Sequence, residues 1–411
     1  MAVAFIGLSI SCQNKFLQVI LMLYLGIDIG KSFHVASLID DKKNVIFKGF
    51  QFKNNTDNAT KLLEKIAPYP EIEIGMEATG HYWLALYSFL VKNNFVVHVV
   101  NPIQTDSWRN CSKIRPHKTD KIDSLIIADF IRYGDFSETS LASEEILEIR
   151  NLSRFRISLV DSIGDLKRKT ICVLDQIFPE YESVFSDVFG KTSKEILNLF
   201  SSPSDFENIS AENLNRLLDK VTKKHFAEVK LKQLSNLAKN SFGISFGLQS
   251  LKFQLQLLIQ QMSFIEGQVA DVDNKISELL DKLNSPLTTV PGVGKVIAAA
   301  ILGEIGDITR FSSPAKLVAY AGLDSKIERS GSSENFSGKM TKRGSPFLRT
   351  ALFRAALVAS NTDPVFKAFY QKKRAEGKHH LTCIGALARK LCYTIHAILS
   401  KNCVYKIQST T

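Results

Sequence analysis

The chain has 411 residues, 45% of them hydrophobic, with a mean hydropathy near zero and a net charge of +11. That length allows two or three domains with real cores, and the composition excludes a disordered chain. No apolar run reaches the ~20 residues of a membrane span, so no transmembrane helix is expected. Six cysteines (Cys12, Cys111, Cys172, Cys383, Cys392 and Cys403) are scattered without a CxxC pair. This argues against a zinc finger or a disulfide scaffold and fits a reducing cytoplasm.

The charge is uneven. From Pro286 onward 19 Lys and Arg stand against 7 Asp and Glu, so the last third alone carries +12 and the rest −1. A basic domain joined to a neutral one points to phosphate contact, most often nucleic acid. A merely soluble basic surface is the competing reading.

In chain order, residues 1–22 lack the basic start and small-residue cleavage pattern of a signal peptide. Met22 directly precedes the first clear strand, so these residues are expected to be a non-native or disordered extension from an upstream start codon. Residues 23–140 then alternate between strands and helices. "LYLGIDIG", "FHVASLID" and "NVIFKGFQF" read as a three-strand meander with a polar turn at Asp40–Asn44. The spacing predicts a helix over 57–66, a strand at "EIEIGME", a helix over about 81–92, a strand at "FVVHVVN" and a helix from about Thr119. The order βββαβαβα is that of an α/β ribonuclease H-like fold, a sheet covered by helices.

Residues 141–285 read as helical. Leu248, Leu251, Leu255, Leu258, Met262, Ile265, Val269, Val272, Ile276, Leu279 and Leu283 repeat at 3-4 spacing. This is a coiled-coil seam of roughly 50 Å at ~1.5 Å per residue. An earlier run through Ile149, Leu152, Leu159, Ile163, Leu166, Val173 and Ile177 fits either an antiparallel partner or a dimer interface. Short helices are expected over 179–245. Residues 286–411 open with "TTVPGVGKVIAAAILGEIG", a helix–hairpin–helix pattern. Gly292 and Gly294 permit its turn, and the next helix, from Lys295, offers free N–H groups to a phosphate. A structural turn between packed helices competes with this.

Four carboxylates carry the chemistry. Asp28 interrupts an apolar strand, on the face opposite Leu25, Ile27 and Ile29, and a buried carboxylate there needs a partner. Glu77 closes the strand "EIEIGME", where a helix N-terminal acid is the alternative. Asp120 and Asp123 lie one helical turn apart. At ~6 Å and an effective dielectric of ~20 their repulsion is about 2.8 kcal/mol. A divalent cation relieves it, and hard oxygen ligands suit Mg²⁺; neutralisation by Lys118 and Lys121 is the structural alternative. Asp129 lies farther along the same helix and is not expected to face the others. Downstream, Ser330, Ser332 and Ser333 surround Gly331, with Lys339, Lys342, Arg343 and Arg349 close behind. Cations there could hold phosphates around a serine that needs activation to act as nucleophile; a phosphate-contacting loop without chemistry competes.

"GIDIGKS", "GMEATG", "NP" followed by "HKTDKIDSLIIADF", "VPGVGKVIAAAIL" and "AGLDSKIERSGSS…MTKRGSPFLRTAL" occur in one order. In this the chain, from about Leu23 to Lys401, resembles the IS110 insertion-sequence transposases, DEDD recombinases related to the Piv DNA invertase. The resemblance implies a RuvC-like first domain with Asp28, Glu77, Asp120 and Asp123 as its metal-binding set. It also implies a C-terminal transposase domain with Ser330 as nucleophile, although Arg329 stands where some relatives have an acid. Two Mg²⁺ ions, or Mn²⁺, are the implied cofactors. DNA ends and target, a structured bridge RNA and further copies of the chain are the implied partners, with serine and metal sites meeting from different subunits. The implied setting is bacterial, cytoplasmic and nucleoid-associated. Lys118, Gly292, Gly294, Lys295, Lys339, Lys342, Arg343 and Arg349 are the candidate nucleic-acid contacts. A hydrolytic Holliday-junction nuclease of RuvC type, needing the acids but no serine, is the alternative enzyme. A catalytically inactive nucleic-acid-binding protein is the third reading.

Overall fold

The computed structural model describes residues 22–112, 119–136, 143–207, 209–221, 223–325, 328–330, 333–335 and 340–407; for Ser112, 328–330 and 333–335 only the backbone is described. The 1–21 segment lies outside the described residues. The chain forms two compact units that divide between Leu141 and Ala142.

The first unit contains strands β1 (Leu23–Ile29), β2 (Phe33–Asp40) and β3 (Val45–Lys53), helix α1 (Thr56–Ile66), β4 (Ile72–Glu77), α2 (Trp83–Lys92), β5 (Val96–Val100), α3 (Pro102–Ser112) and α4 (Asp120–Tyr133). The five-stranded sheet has the order β3-β2-β1-β4-β5. The β1–β2 and β2–β3 pairs are antiparallel, and the β1–β4 and β4–β5 pairs are parallel. Leu25, Ile27, Ile74 and Met76 face α1 and α2, where Leu62, Ile66, Leu86 and Leu90 complete a core.

The other face of β1 and β4 is cut down to glycine, and the register sets Gly26 against Gly75. A Cβ on Gly26 would collide with the Ser124 carbonyl and the Ala128 nitrogen. One on Gly75 would stand 2.7 Å from the Ile131 Cγ2 methyl. Helix α4 therefore lies directly on the sheet, pinned also by a buried Ser37–Ser124 hydroxyl pair at 2.7 Å. Its C-terminus is closed by Gly134 at φ 81. Helix α3 was not expected from the sequence. Its residues "PIQTDSWRNCS" carry too few apolar side chains for a helical stripe.

The second unit is mostly helical. Long helix α5 (Glu144–Ile177) is followed by a 3₁₀ turn at Pro179–Val184 and by α6 (Lys191–Leu199), α7 (Pro203–Glu207), α8 (Ala211–Lys220) and α9 (Lys224–Ala238). Then come α10 (Leu248–Leu283), a 3₁₀ turn at Pro286–Thr289, α11 (Lys295–Ile305), a 3₁₀ turn at Ile308–Arg310 and α12 (Pro314–Tyr320). The chain ends in β6 (Glu328–Ser330), β7 (Ser333–Asn335), α13 (Pro346–Thr362), α14 (Pro364–Ala375) and α15 (His380–Lys401).

The seam of α10 packs along α5 within the same chain. Ile149 meets Ile276 and Leu279 at one end, and Leu166, Val173 and Ile177 share a core with Leu255, Leu258 and Met262 at the other. The two helices are therefore antiparallel, cross-linked by a two-point Arg156–Asp273 ion pair. The short helices between them enclose Phe178, Tyr181, Phe200 and Phe206. A separate core joins α11, α12, α13 and α15. Among the described residues no helix is long and apolar enough to cross a membrane.

Candidate active site

In the first unit the C-terminal ends of β1 and β4 and the N-terminal turn of α4 carry the four acids. Asp28 lies one residue before the end of β1, Glu77 is the last residue of β4, and Asp120 and Asp123 occupy the first turn of α4. Because α4 rests on Gly26, its first turn comes down over Asp28. The electrostatic consequence is visible at Asp28, whose carboxyl is pushed from 3.8 up to about 6. Burial is the largest cause, followed by the negative charges of Asp123, Asp120 and Glu77 in that order.

The second pair of partners comes from α3. Thr105, fully buried, donates to Glu77 Oε2 at 2.8 Å, and Thr79 donates to Oε1 at 3.0 Å. Arg109, 8% exposed, places Nη2 3.1 Å from Oδ1 of Asp123, itself 6% exposed, and also pairs with Asp106. Sequence reasoning missed both Thr105 and Arg109; the sole local signal was the i,i+3 pair Asp106–Arg109. Among the described residues the cation that meets Asp123 is Arg109, while Lys121 lays its methylenes over Gly49 on β3; Lys118 lies outside the described residues. Asp129 is engaged elsewhere, by Lys43 at 2.9 Å, Arg132 and the Trp108 indole. Burial opposes its ionisation, but these donors hold its carboxyl below the usual range.

Among the described residues no group of three or more His, Cys, Asp or Glu is already closed to metal-ligand spacing. The donor set nevertheless fits a hard divalent cation. It is all oxygen and carries excess negative charge, and Asp28 and Asp123 are withdrawn from water while Asp120 is exposed.

In the second unit Ser330 ends β6, its Cα opposite Ser333 of β7; its side chain lies outside the described residues, as does Lys339. The root of this hairpin is firmly held. Ser325 bridges Met340, Thr341 N–H donates to the Asp324 carbonyl at 2.9 Å, and Ser345 N–H donates to that of Tyr320 at 2.8 Å. Gly344, at φ 102, lets the chain pass the Tyr320 carbonyl, which a Cβ would strike. Arg349 spends one donor on the Ala321 carbonyl at 3.1 Å, while Lys342 and Arg343 are exposed. At the other glycine turn, Gly292 (φ 82) packs against the Ala355 carbonyl of α13. Gly294 caps α11 with open space around it, and Lys295 pairs with Asp281 at 2.7 Å. The element before this turn is a single 3₁₀ turn.

Two family models match the chain, and together they span more than half of it. One, the DEDD transposase model of IS110, covers residues 25–179, and the other, "Transposase IS116/IS110/IS902 family", covers 284–371. The pilin gene-inverting protein of Moraxella bovis is 24% identical over 384 residues, 92% of this chain and 96% of that protein. The IS116 44.8 kDa protein of Streptomyces clavuligerus is 23% identical over 379 residues, covering 92% and 94%. The IS110 43.6 kDa protein of Streptomyces coelicolor is 36% identical over 125 residues, 30% of each chain. The chain belongs to the IS110 family of insertion-sequence transposases.

Proposed function

We propose that this transposase breaks and rejoins DNA through a covalent serine–phosphate link, assisted by divalent metal at the four carboxylates. The observation that carries the reading is the crowding of Asp28, Glu77, Asp120 and Asp123, felt at Asp28 as a carboxyl pushed up to about 6. The strand order β3-β2-β1-β4-β5, with α4 laid on β1 and β4, supports reading the first unit as ribonuclease H-like and RuvC-like.

In this account Asp28, Glu77, Asp120 and Asp123 hold one or two Mg²⁺ ions, with Mn²⁺ as a substitute. Divalent cations supply charge stabilisation to the phosphoryl oxygens during displacement. Thr105 and Thr79 orient Glu77. Ser330 Oγ bonds to phosphorus as the bond from phosphorus to a deoxyribose oxygen breaks. The serine gives up its proton, and the departing oxygen takes one up as a hydroxyl. A hydroxyl of the exchanging strand then attacks the same phosphorus, and Ser330 leaves and regains a proton. One phosphodiester is exchanged for another through a phosphoserine, so no ATP is consumed. Exposed Lys342 and Arg343 lie at the root of the serine hairpin, where cations can hold the approaching backbone. A structured bridge RNA as guide and a homo-oligomeric assembly belong to the same proposal.

Product analysis tests it. With DNA carrying the element's ends, the wild-type protein should yield joined strands without ATP, and Asp123→Ala should yield none. Hydrolysed ends alone, formed equally well by Ser330→Ala, would instead favour the junction nuclease. Retained, metal-dependent DNA binding without any strand breakage in the wild type would favour the binding-only reading.

A further inference from the structure

Glu304 on α11 is a buried carboxylate, 2% exposed, within the second unit. Its Oε1 lies 2.7 Å from Nε of Arg154 on α5, and Nη2 of the same guanidinium reaches Oε2 at 3.1 Å. The Ser345 hydroxyl donates to Oε2 at 2.7 Å. Ser345 is also the N-cap of α13, accepting from Leu348 N–H at 3.1 Å. Its own N–H is held by the Tyr320 carbonyl, just where the serine hairpin leaves α12. One carboxylate thereby ties the long helix α5, the small-residue helix α11 and both ends of the hairpin that carries Ser330. Helices α5 and α11 are close enough for this because of Gly303, where a Cβ would stand 2.8 Å from the Arg150 Cα.

Glu304 is buried but the Arg154 side chain is 46% exposed, so desolvation of the carboxylate and solvent screening of the guanidinium leave the pair little net stability. Such pairs can instead select one arrangement among several of similar energy. The fork of Arg154 and the hydroxyl of Ser345 donate to Glu304 from fixed directions, which favours one orientation of its carboxylate. An apolar pair could fill the same space without fixing that angle. We infer that Glu304 is a positioning residue, setting the angle of the Ser330 hairpin relative to α5 through Arg154 and Ser345. The inference rests on the proposed role of Ser330, and its test is chosen to stand apart from that role.

Glu304→Gln alone keeps an amide that can still hydrogen-bond Arg154 and Ser345, so it would leave much of the tie in place. The decisive variant is the double change Glu304→Met with Arg154→Leu, which removes both charges together. In the full-length protein it should melt within about 3 °C of wild type. It should bind element-end DNA with unchanged Kd, yet form the Ser330–DNA adduct in single turnover at least about tenfold more slowly. A wild-type adduct rate in this folded variant would overturn the inference. A second readout does not depend on Ser330 chemistry. Nitroxides at Asp161→Cys on α5 and Ser325→Cys at the hairpin root, with exposed native cysteines replaced by serine, report the distance between the two. The double variant should shift or broaden that distribution. An unchanged distribution would overturn the inference even if the serine proved catalytically idle.

Discussion

The guanidinium of Arg109 on α3 lies 3.1 Å from the carboxylate of Asp123 on α4, with both side chains about nine-tenths buried. The two helices thus meet through an ion pair inside the acid cluster. While it stays paired, Asp123 is committed to an internal cation rather than to a divalent one.

Removing that cation should have opposite effects on the metal-free and metal-loaded protein. Arg109→Gln leaves buried negative charge uncompensated, which costs about 3 kcal/mol where a buried pair is broken. The melting temperature in chelator should fall. Mn²⁺ affinity, measured by calorimetry, should rise about tenfold as the competitor disappears, and the metal-induced rise in melting temperature should grow with it. Weaker Mn²⁺ binding would show instead that Arg109 orients Asp123 for the metal.

The raised carboxyl of Asp28 carries a pH signature. The folded state holds that proton up to about 6, whereas the unfolded chain releases it near 3.8. The folded protein therefore binds more protons than the unfolded chain between those values, and this group's contribution to stability is lost as pH rises through the window. Asp28→Asn cannot ionise and escapes the loss. In chelator it should melt higher than wild type at about pH 7.5 and gain nothing at about pH 4. An equal difference at both pH values would contradict the cluster.

The glycines beneath α4 should differ in their tolerance. Gly26→Ala drives a methyl into the helix backbone, which cannot yield locally, whereas Gly75→Ala meets the movable Ile131 side chain. Gly75→Ala should cost about 1–3 kcal/mol in urea unfolding, in the range of ordinary overpacking, and Gly26→Ala more. A Gly26→Ala protein that survived folding should also lose metal affinity, because Asp120 and Asp123 are carried on the displaced helix. Equal costs at the two sites would contradict the close contact.

The sequence showed those parts of the molecule that repeat with a clear period. Strands β1 to β5 and the α10 seam were legible because their apolar side chains alternate or recur at helical spacing. Asp28 stood out as an exception to those patterns, Glu77 by closing a strand, and Asp120 and Asp123 by their one-turn spacing. Helix α3 was not, because it is polar and takes its place from packing beside α4, so Thr105 and Arg109 gave no sign of reaching Glu77 and Asp123. The partner of the α10 seam was open in the sequence, since the Ile149–Ile177 run fits an intrachain or intersubunit pairing equally well. Only tertiary contacts, such as Arg156 with Asp273, decide for the intrachain one. Gly292 likewise reads as a phosphate-turn glycine in sequence, and in the fold its missing Cβ makes room for the Ala355 carbonyl.

The most direct measurement is a covalent trap. The full-length protein, with co-purified RNA and DNA carrying the element's ends, is incubated in Mg²⁺, denatured, and the attached residue located by mass spectrometry. The account predicts a DNA adduct on Ser330 that disappears in both Ser330→Ala and Asp123→Ala. Cleaved DNA with no adduct, produced unchanged by Ser330→Ala, would contradict it.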